Sequence, residues 1–178
     1  MKLRIEFIEL DKTIHDRASF DCGEKELDTF LKTQASKHMN VGISKTMVLA
    51  DNLVKAENKN PICAFYTVAP SSIKRESLPA KLAKKLPHYP IPVFLIAQLA
   101  ISKSYQGKGF GKITLIKALE YLWQINKKMA AYAIIVDCLN DNVLAFYEKY
   151  GFKILNEFNG KTRMYIPMKN IKTLFQSR

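Results

Sequence analysis

Apolar and polar residues alternate, then cluster, in a way that predicts a run of strands and helices. Residues 3–9 alternate as a strand does. Over 24–39, Leu27, Phe30, Leu31, Gln34 and Ala35 fall on one face at helical spacing, with Lys25, Lys32 and Lys37 away from it. Residues 46–50 and 62–69 are β-rich runs around a polar loop, which predicts a hairpin whose second strand ends at Pro70. A short helix is predicted over 77–85, closed by a proline-rich stretch up to Pro92. Residues 93–101, VFLIAQLAI, are nearly all apolar, as in a strand buried on both faces. The stripe Leu115, Ala118, Leu119, Leu122 predicts an amphipathic helix over 112–125. A second buried strand is expected over 131–138, a short helix over 142–149, and closing strands over 152–155 and 162–168. Alternating strands and helices predict one α/β or α+β domain over residues 1–178, with a mixed sheet of six or seven strands.

Charge narrows the partners. Lys and Arg number 28 against 16 Asp and Glu, a net charge of +12 that favours a polyanion or an acidic surface. No stretch is long and apolar enough to span a membrane, and the early Glu6 makes the start a poor signal peptide. Cys22, Cys63 and Cys138 lack metal-ligand spacing and cannot all pair, which fits a reducing cytoplasm. His15, His38 and His88 are equally scattered, so no metal site is expected.

The segment SYQGKGFGKIT (104–114) carries the chemistry. It places three glycines and two lysines between the apolar strand and the amphipathic helix. A P-loop would need glycine where Gln106 stands and Ser or Thr where Ile113 stands. A dinucleotide fingerprint fails too, because Gly107, Gly109 and Gly111 are spaced by two throughout. Gln-x-x-Gly-x-Gly does fit, at Gln106, Gly109 and Gly111. Backbone amides of such a turn and the N-terminus of the next helix make an anion cradle, with Lys108 and Lys112 at its rim.

Some thirty residues on stands NDNVLAFYEKYGF (140–152). Together the two motifs resemble the GNAT acetyltransferase superfamily, which binds acetyl-coenzyme A through Gln/Arg-x-x-Gly-x-Gly/Ala. Three further stretches resemble the branch of toxin–antitoxin acetyltransferases: Phe20–Gly23 with 26–31 and Ala35; 89–93 leading into 98–101; and 164–169. The likeness spans about residues 5–170. One departure stands out: Gln98 occupies the place where the branch usually has Arg before Leu-Ala.

The resemblance implies a GNAT fold in which the strand 93–101 splays from 131–138 and the pantetheine arm lies in the gap. Leu99, Ala100 and Ile101 would hold the arm, the N–H near Leu99 facing the thioester oxygen. Gln106, Gly107, Lys108, Gly109, Phe110, Gly111 and Lys112 would hold the pyrophosphate, and Asn142 would cap the following helix or touch the arm. Tyr147 would be the general acid. The implied acceptor is the α-amine of aminoacyl-tRNA, and the implied partners are an antitoxin of ribbon-helix-helix type and a second copy in a homodimer. Chemistry agrees with that acceptor: the strand 93–101 carries no carboxylate, and an α-amine, reference pKa about 7.7–8.0, needs a base less than a lysine at about 10.4. Lys32, Lys37, Lys45, Arg75 and Lys149 are candidates for tRNA phosphates. A GNAT enzyme acting on a small amine or a protein N-terminus, or a non-catalytic acetyl-CoA-binding module, are the alternatives.

Overall fold

The computed structural model describes residues 5–54 and 58–176. They form eight strands and six α-helices, a mixed α/β architecture. The predicted strand over 3–9 is seen as β1, Ile8–Glu9, and residues 3 and 4 lie outside the described range. The chain groups into two compact units, 1–69 with 97–118, and 70–96 with 119–178.

In the first unit, β1 pairs antiparallel with β3 (Lys45–Ala50), and β3 with β4 (Asn60–Ile73). The predicted hairpin is therefore present. Short β2 (His15–Asp16) runs parallel to the start of β4. Strand β4 does not stop at Pro70 but continues to Ile73. Its register with β3 ends at Val68, so the missing N–H of Pro70 removes no bond from that ladder. Inside the ladder, the buried hydroxyls of Thr46 and Thr67 satisfy each other at 2.7 Å.

The first predicted helix is present but not uniform. Helices α1 (Lys25–Thr29) and α2 (Ala35–Asn40) flank a π-helical turn, Phe30–Gln34, closed by the Ala35 N–H on the Phe30 carbonyl. The wider turn brings Phe30, Leu31 and Ala35 into the core with Phe20, Val48 and Phe65, and leaves Gln34 exposed. Gln34 was expected on the buried face; five-residue spacing inside the turn moves it off.

In the second unit, the first half of β5 (Ile91–Ile101) lies parallel to β6 (Ala133–Cys138), with Val93–Ile96 facing Ala133–Val136. Strand β6 pairs antiparallel with β8 (Lys161–Pro167), and β8 with β7 (Lys153–Phe158). The core here gathers Ile73, Leu78, Ile91, Val93, Ile135 and Tyr165. The predicted helix over 77–85 shrinks to a 3₁₀ turn at Arg75–Ser77 and one turn of α3, Ala80–Ala83.

Helix α4 (Phe110–Asn126) buries Leu115, Ala118, Leu119 and Leu122, as its stripe predicts, and adds Thr114 and Trp123. Helix α5 spans Asp141–Lys149. A last helix, α6 (Met168–Gln176), was not expected; it buries Met168 and Ile171.

Candidate active site

The glycine turn belongs to the first unit. Its positive φ angles fall on Gly107 (71°) and Gly109 (83°), and the space where a Cβ would stand is open at both. Gly111 instead lies in the first turn of α4, so its value is not backbone conformation. The turn from Gln106 to Gly109 is exposed, as are Lys108 and Lys112. First-turn amides of a helix lack partners within the helix. Exposed amides, room beside two glycines and flanking ammonium groups together suit a pyrophosphate.

Four braces hold this turn in place. Gln106 donates from Nε2 to the carbonyls of Cys22 and Ile101, 2.8 Å each. Its side-chain amide N–H groups thus face the chain, and its contribution to an anion is to shape the loop. Lys103 reaches Asp21 at 2.8 Å, which holds the Asp21 carboxyl below its ordinary pKa and the Lys103 ammonium above its own. The pair is exposed, so its value is positional. Tyr105 donates its hydroxyl to Asp51 at 2.5 Å, and its ring meets Phe110 edge-on with the centroids 5.4 Å apart. The Ser102 N–H donates to the Cys63 carbonyl at 2.8 Å. Burial pushes the Cys63 thiol up to about 11 and raises the Tyr105 phenol, so both stay neutral.

Residues 97–101 of β5 complete this half. They were expected to be buried on both faces; instead Ala97 is exposed, Gln98, Leu99 and Ile101 are half-buried, and Ala100 alone is buried. The Oε1 of Gln98 is buried without a hydrogen-bond partner.

Tyr147 sits in the second unit on α5. The cap of that helix is Asn140, whose side chain accepts the Val143 N–H at 3.0 Å. Asn142, expected as a possible cap, is an exposed first-turn residue. Tyr147 is 6% exposed, its ring packed edge-on against Phe146 and Phe152 at 5.2 Å each. Burial raises its phenol above the ordinary value, with the neighbouring Cys138 thiol adding in the same direction. The hydroxyl is therefore protonated at every physiological pH, the state a general acid needs.

Three of the five candidate phosphate cations have other engagements. Lys45 pairs with Glu9. Arg75 donates to the Ala83 carbonyl at 2.6 Å and meets the His88 ring. Lys149 lies 6.0 Å from the centre of the Tyr150 ring, while Lys32 is half-buried and Lys37 exposed. The residues that sequence reasoning missed are the braces Asp21, Asp51 and Tyr105. Among the described residues no helix is long and apolar enough to cross a membrane.

Comparison with known proteins agrees with this geometry. The Acetyltransferase (GNAT) family matches residues 82–152. A "tRNA-acetylating toxin" of Mycobacterium tuberculosis is 30% identical over 139 residues, 78% of this chain and 79% of that protein. A "Probable toxin TacT" of Sinorhizobium fredii is 28% identical over 173 residues, covering 93% and 92%. The solved structure of AtaT complexed with acetyl-methionyl-tRNAfMet superposes with a TM-score of 0.84 at 28% identity, covering 96% of this chain and 98% of that one. The turn of Gly107 and Gly109, the mixed α/β fold and these relatives agree: the chain belongs to the GNAT family of acetyl-CoA-dependent acetyltransferases, with the tRNA-acetylating toxins among its relatives.

Proposed function

We propose that this protein transfers acetyl from acetyl-CoA to the α-amine of aminoacyl-tRNA and so blocks translation as the toxin of a toxin–antitoxin module. One observation carries the choice of acceptor: nearly the whole chain matches a toxin solved with acetyl-methionyl-tRNA. The charge of +12 supports a polyanionic substrate. A homodimer, an antitoxin partner and a cytoplasmic setting belong to the same reading; the three cysteines, all free and buried, suit a reducing compartment.

In this reading the amides from Gln106 to Lys112 hold the pyrophosphate, and the backbone of Leu99, Ala100 and Ile101 holds the pantetheine arm, with Asn142 as a further contact. The amine nitrogen attacks the thioester carbon, and a backbone N–H near Leu99 stabilises the oxyanion that forms. The carbon–sulfur bond then breaks. Tyr147 gives its proton to the leaving sulfur and recovers one from solvent, while the new amide nitrogen releases its extra proton to water. An α-amine is partly neutral near pH 8, so β5 needs no carboxylate.

Induced expression tests the reading. Growth arrest by the wild type, with growth restored by Tyr147→Phe, is expected. Unimpaired growth with active acetylation of small amines would oppose it.

A further inference from the structure

His15 is an ionisable side chain that the acetyl-transfer chemistry does not use. It lies on β2 in the first unit and is 1% exposed. Its Nδ1 accepts the Asp11 N–H at 2.9 Å, and its backbone N–H donates to the Asp11 carbonyl at 2.9 Å. An Nδ1 that accepts carries no proton, so the ring is neutral with its proton on Nε2. That Nε2 is buried and has no hydrogen-bond partner. A second proton would go on Nδ1, donor against donor, and would leave a charge out of contact with water. Burial accordingly holds the ring below its ordinary value of 6.5. The charged groups around β2 have their own partners. Asp11 attracts a charged ring, but its carboxylate is exposed and accepts from the N–H and hydroxyl of Thr13. Asp16 accepts the N–H groups of Ala18 and Ser19, and Lys59 donates to the Lys12 carbonyl.

From β2 a continuous run of contacts leads to the glycine turn. His15 stands opposite Asn60 in the parallel register of β2 with β4, and the Asn60 N–H donates to the Ile14 carbonyl at 2.9 Å. The Oδ1 of Asn60 is also buried without a partner. A free donor and a free acceptor thus sit on residues in register. The Asn60 Nδ2 donates to Asn52 at 3.1 Å, and the Asp51 N–H donates to the Pro61 carbonyl at 2.8 Å. Buried Asp51 accepts the Tyr105 hydroxyl, and the Tyr105 ring packs on Phe110 at the start of α4. Each step is a hydrogen bond, a ring contact or a peptide bond, and every member belongs to the first unit. Strand β2 is two residues long and pairs with β4, so the ring secures a short attachment.

We propose that His15 is a positioning residue for the acetyl-CoA cradle: its neutral ring holds β2 on β4 and, through Asn60, Asp51 and Tyr105, keeps the glycine turn in its binding shape, and protonation of the ring releases that hold. The proposal rests on the assignment of the turn to acetyl-CoA. The direction follows from linkage. The ring takes a proton more readily in the opened state than in the closed one, so acid favours opening. The hold is complete above the ordinary imidazole value and is lost as pH falls below it. Cofactor binding is therefore acid-sensitive through a residue that touches neither cofactor nor acceptor.

Calorimetric titration of the full chain with acetyl-CoA across pH is the test. The wild type should lose affinity as pH falls from about 7 to about 5, by up to about ten-fold per pH unit, the slope of one linked proton. In His15→Asn the amide oxygen takes the place of Nδ1 and cannot charge, so its curve should be flatter. The phosphates of the ligand titrate alike in both titrations, and the difference between the curves isolates the ring. His15→Leu cannot accept the Asp11 N–H and should bind about five-fold more weakly at every pH, one hydrogen bond's worth. In kinetics the acid loss should appear in KM for acetyl-CoA, with the ratio of wild-type to His15→Asn kcat constant across pH. NMR of the wild type needs no variant: the Gly107 and Gly109 amides should shift with the same midpoint as the His15 ring. That measurement decides the case if either variant unfolds, which thermal melting identifies. Parallel wild-type and His15→Asn curves, or glycine amides that ignore the His15 midpoint, overturn the proposal. A wild type that binds no acetyl-CoA at any pH overturns the cradle reading, and the proposal with it.

Discussion

Gln106 is joined to Cys22, 84 residues earlier, by a 2.8 Å hydrogen bond from its side-chain amide Nε2 to the Cys22 carbonyl. The same amide nitrogen donates to the Ile101 carbonyl at 2.8 Å. One side chain thus ties the glycine turn to the end of β5 and to the loop before α1. Gln106→Ala should loosen the cradle without touching the reacting atoms. Two hydrogen bonds at about 1 kcal/mol each bound the effect at about thirty-fold in acetyl-CoA affinity. The check is calorimetric titration beside steady-state kinetics, with KM for acetyl-CoA rising and kcat little changed.

Tyr147→Phe keeps the ring packed between Phe146 and Phe152 and removes only the hydroxyl. Turnover should fall about 10²- to 10⁴-fold, the usual contribution of a positioned acid. Acetyl-CoA affinity and melting temperature should stay at wild-type values. A variant with normal turnover would remove Tyr147 from the chemistry.

The pH profile follows from the direction of one shift. Burial raises the Tyr147 phenol above 10.0, and an acid works in its protonated form, which exists below its pKa. Any fall in rate due to this group therefore lies above pH 10. The rising limb should follow the acceptor amine, near pH 8 or below. A falling limb below pH 9 that vanishes in Tyr147→Phe would contradict the assignment.

Much of the architecture was legible because periodicity is local. The stripe Leu115, Ala118, Leu119, Leu122 places α4 within two residues, and the apolar run before the glycines places β5. Where local pattern misled, a specific contact explains it. The π turn closed by Ala35 on Phe30 shifted Gln34 outward. Pro70 sits beyond the β3 ladder and so does not end β4. Helix α6 rests on Met168 and Ile171, too few apolar positions to stand out. The glycine motif was readable as a pattern, but its braces were not. Asp51 lies 54 residues from Tyr105 and Asp21 lies 82 from Lys103, and nothing near either aspartate in sequence marks its partner. Asn142 was expected to cap the helix or touch the arm; geometry gives the cap to Asn140, whose side chain accepts the Val143 N–H.

Asp137 and Arg163 form a largely buried ion pair in the second unit, with side chains 21% and 9% exposed. Asp137→Ala leaves the guanidinium without its partner. The expected loss is about 2–4 kcal/mol, below the fully buried case because part of Asp137 is wet. Urea unfolding measures it. Asp137→Asn, which keeps one acceptor, should lose less.

Transfer to tRNA should weaken steeply with added salt, because each phosphate contact releases a counterion, at a slope of about −0.7 to −0.9 per contact. Acetyl-CoA binding engages fewer charges and should respond less. Parallel shallow responses in the two titrations would argue against a polyanionic acceptor.

The most direct measurement is mass spectrometry of total aminoacyl-tRNA after incubation with purified protein and acetyl-CoA. The account predicts aminoacyl-adenosine fragments heavier by one acetyl group on the α-nitrogen, absent with Tyr147→Phe. Unmodified tRNA in the presence of an enzyme that acetylates lysine side chains or small amines would contradict it.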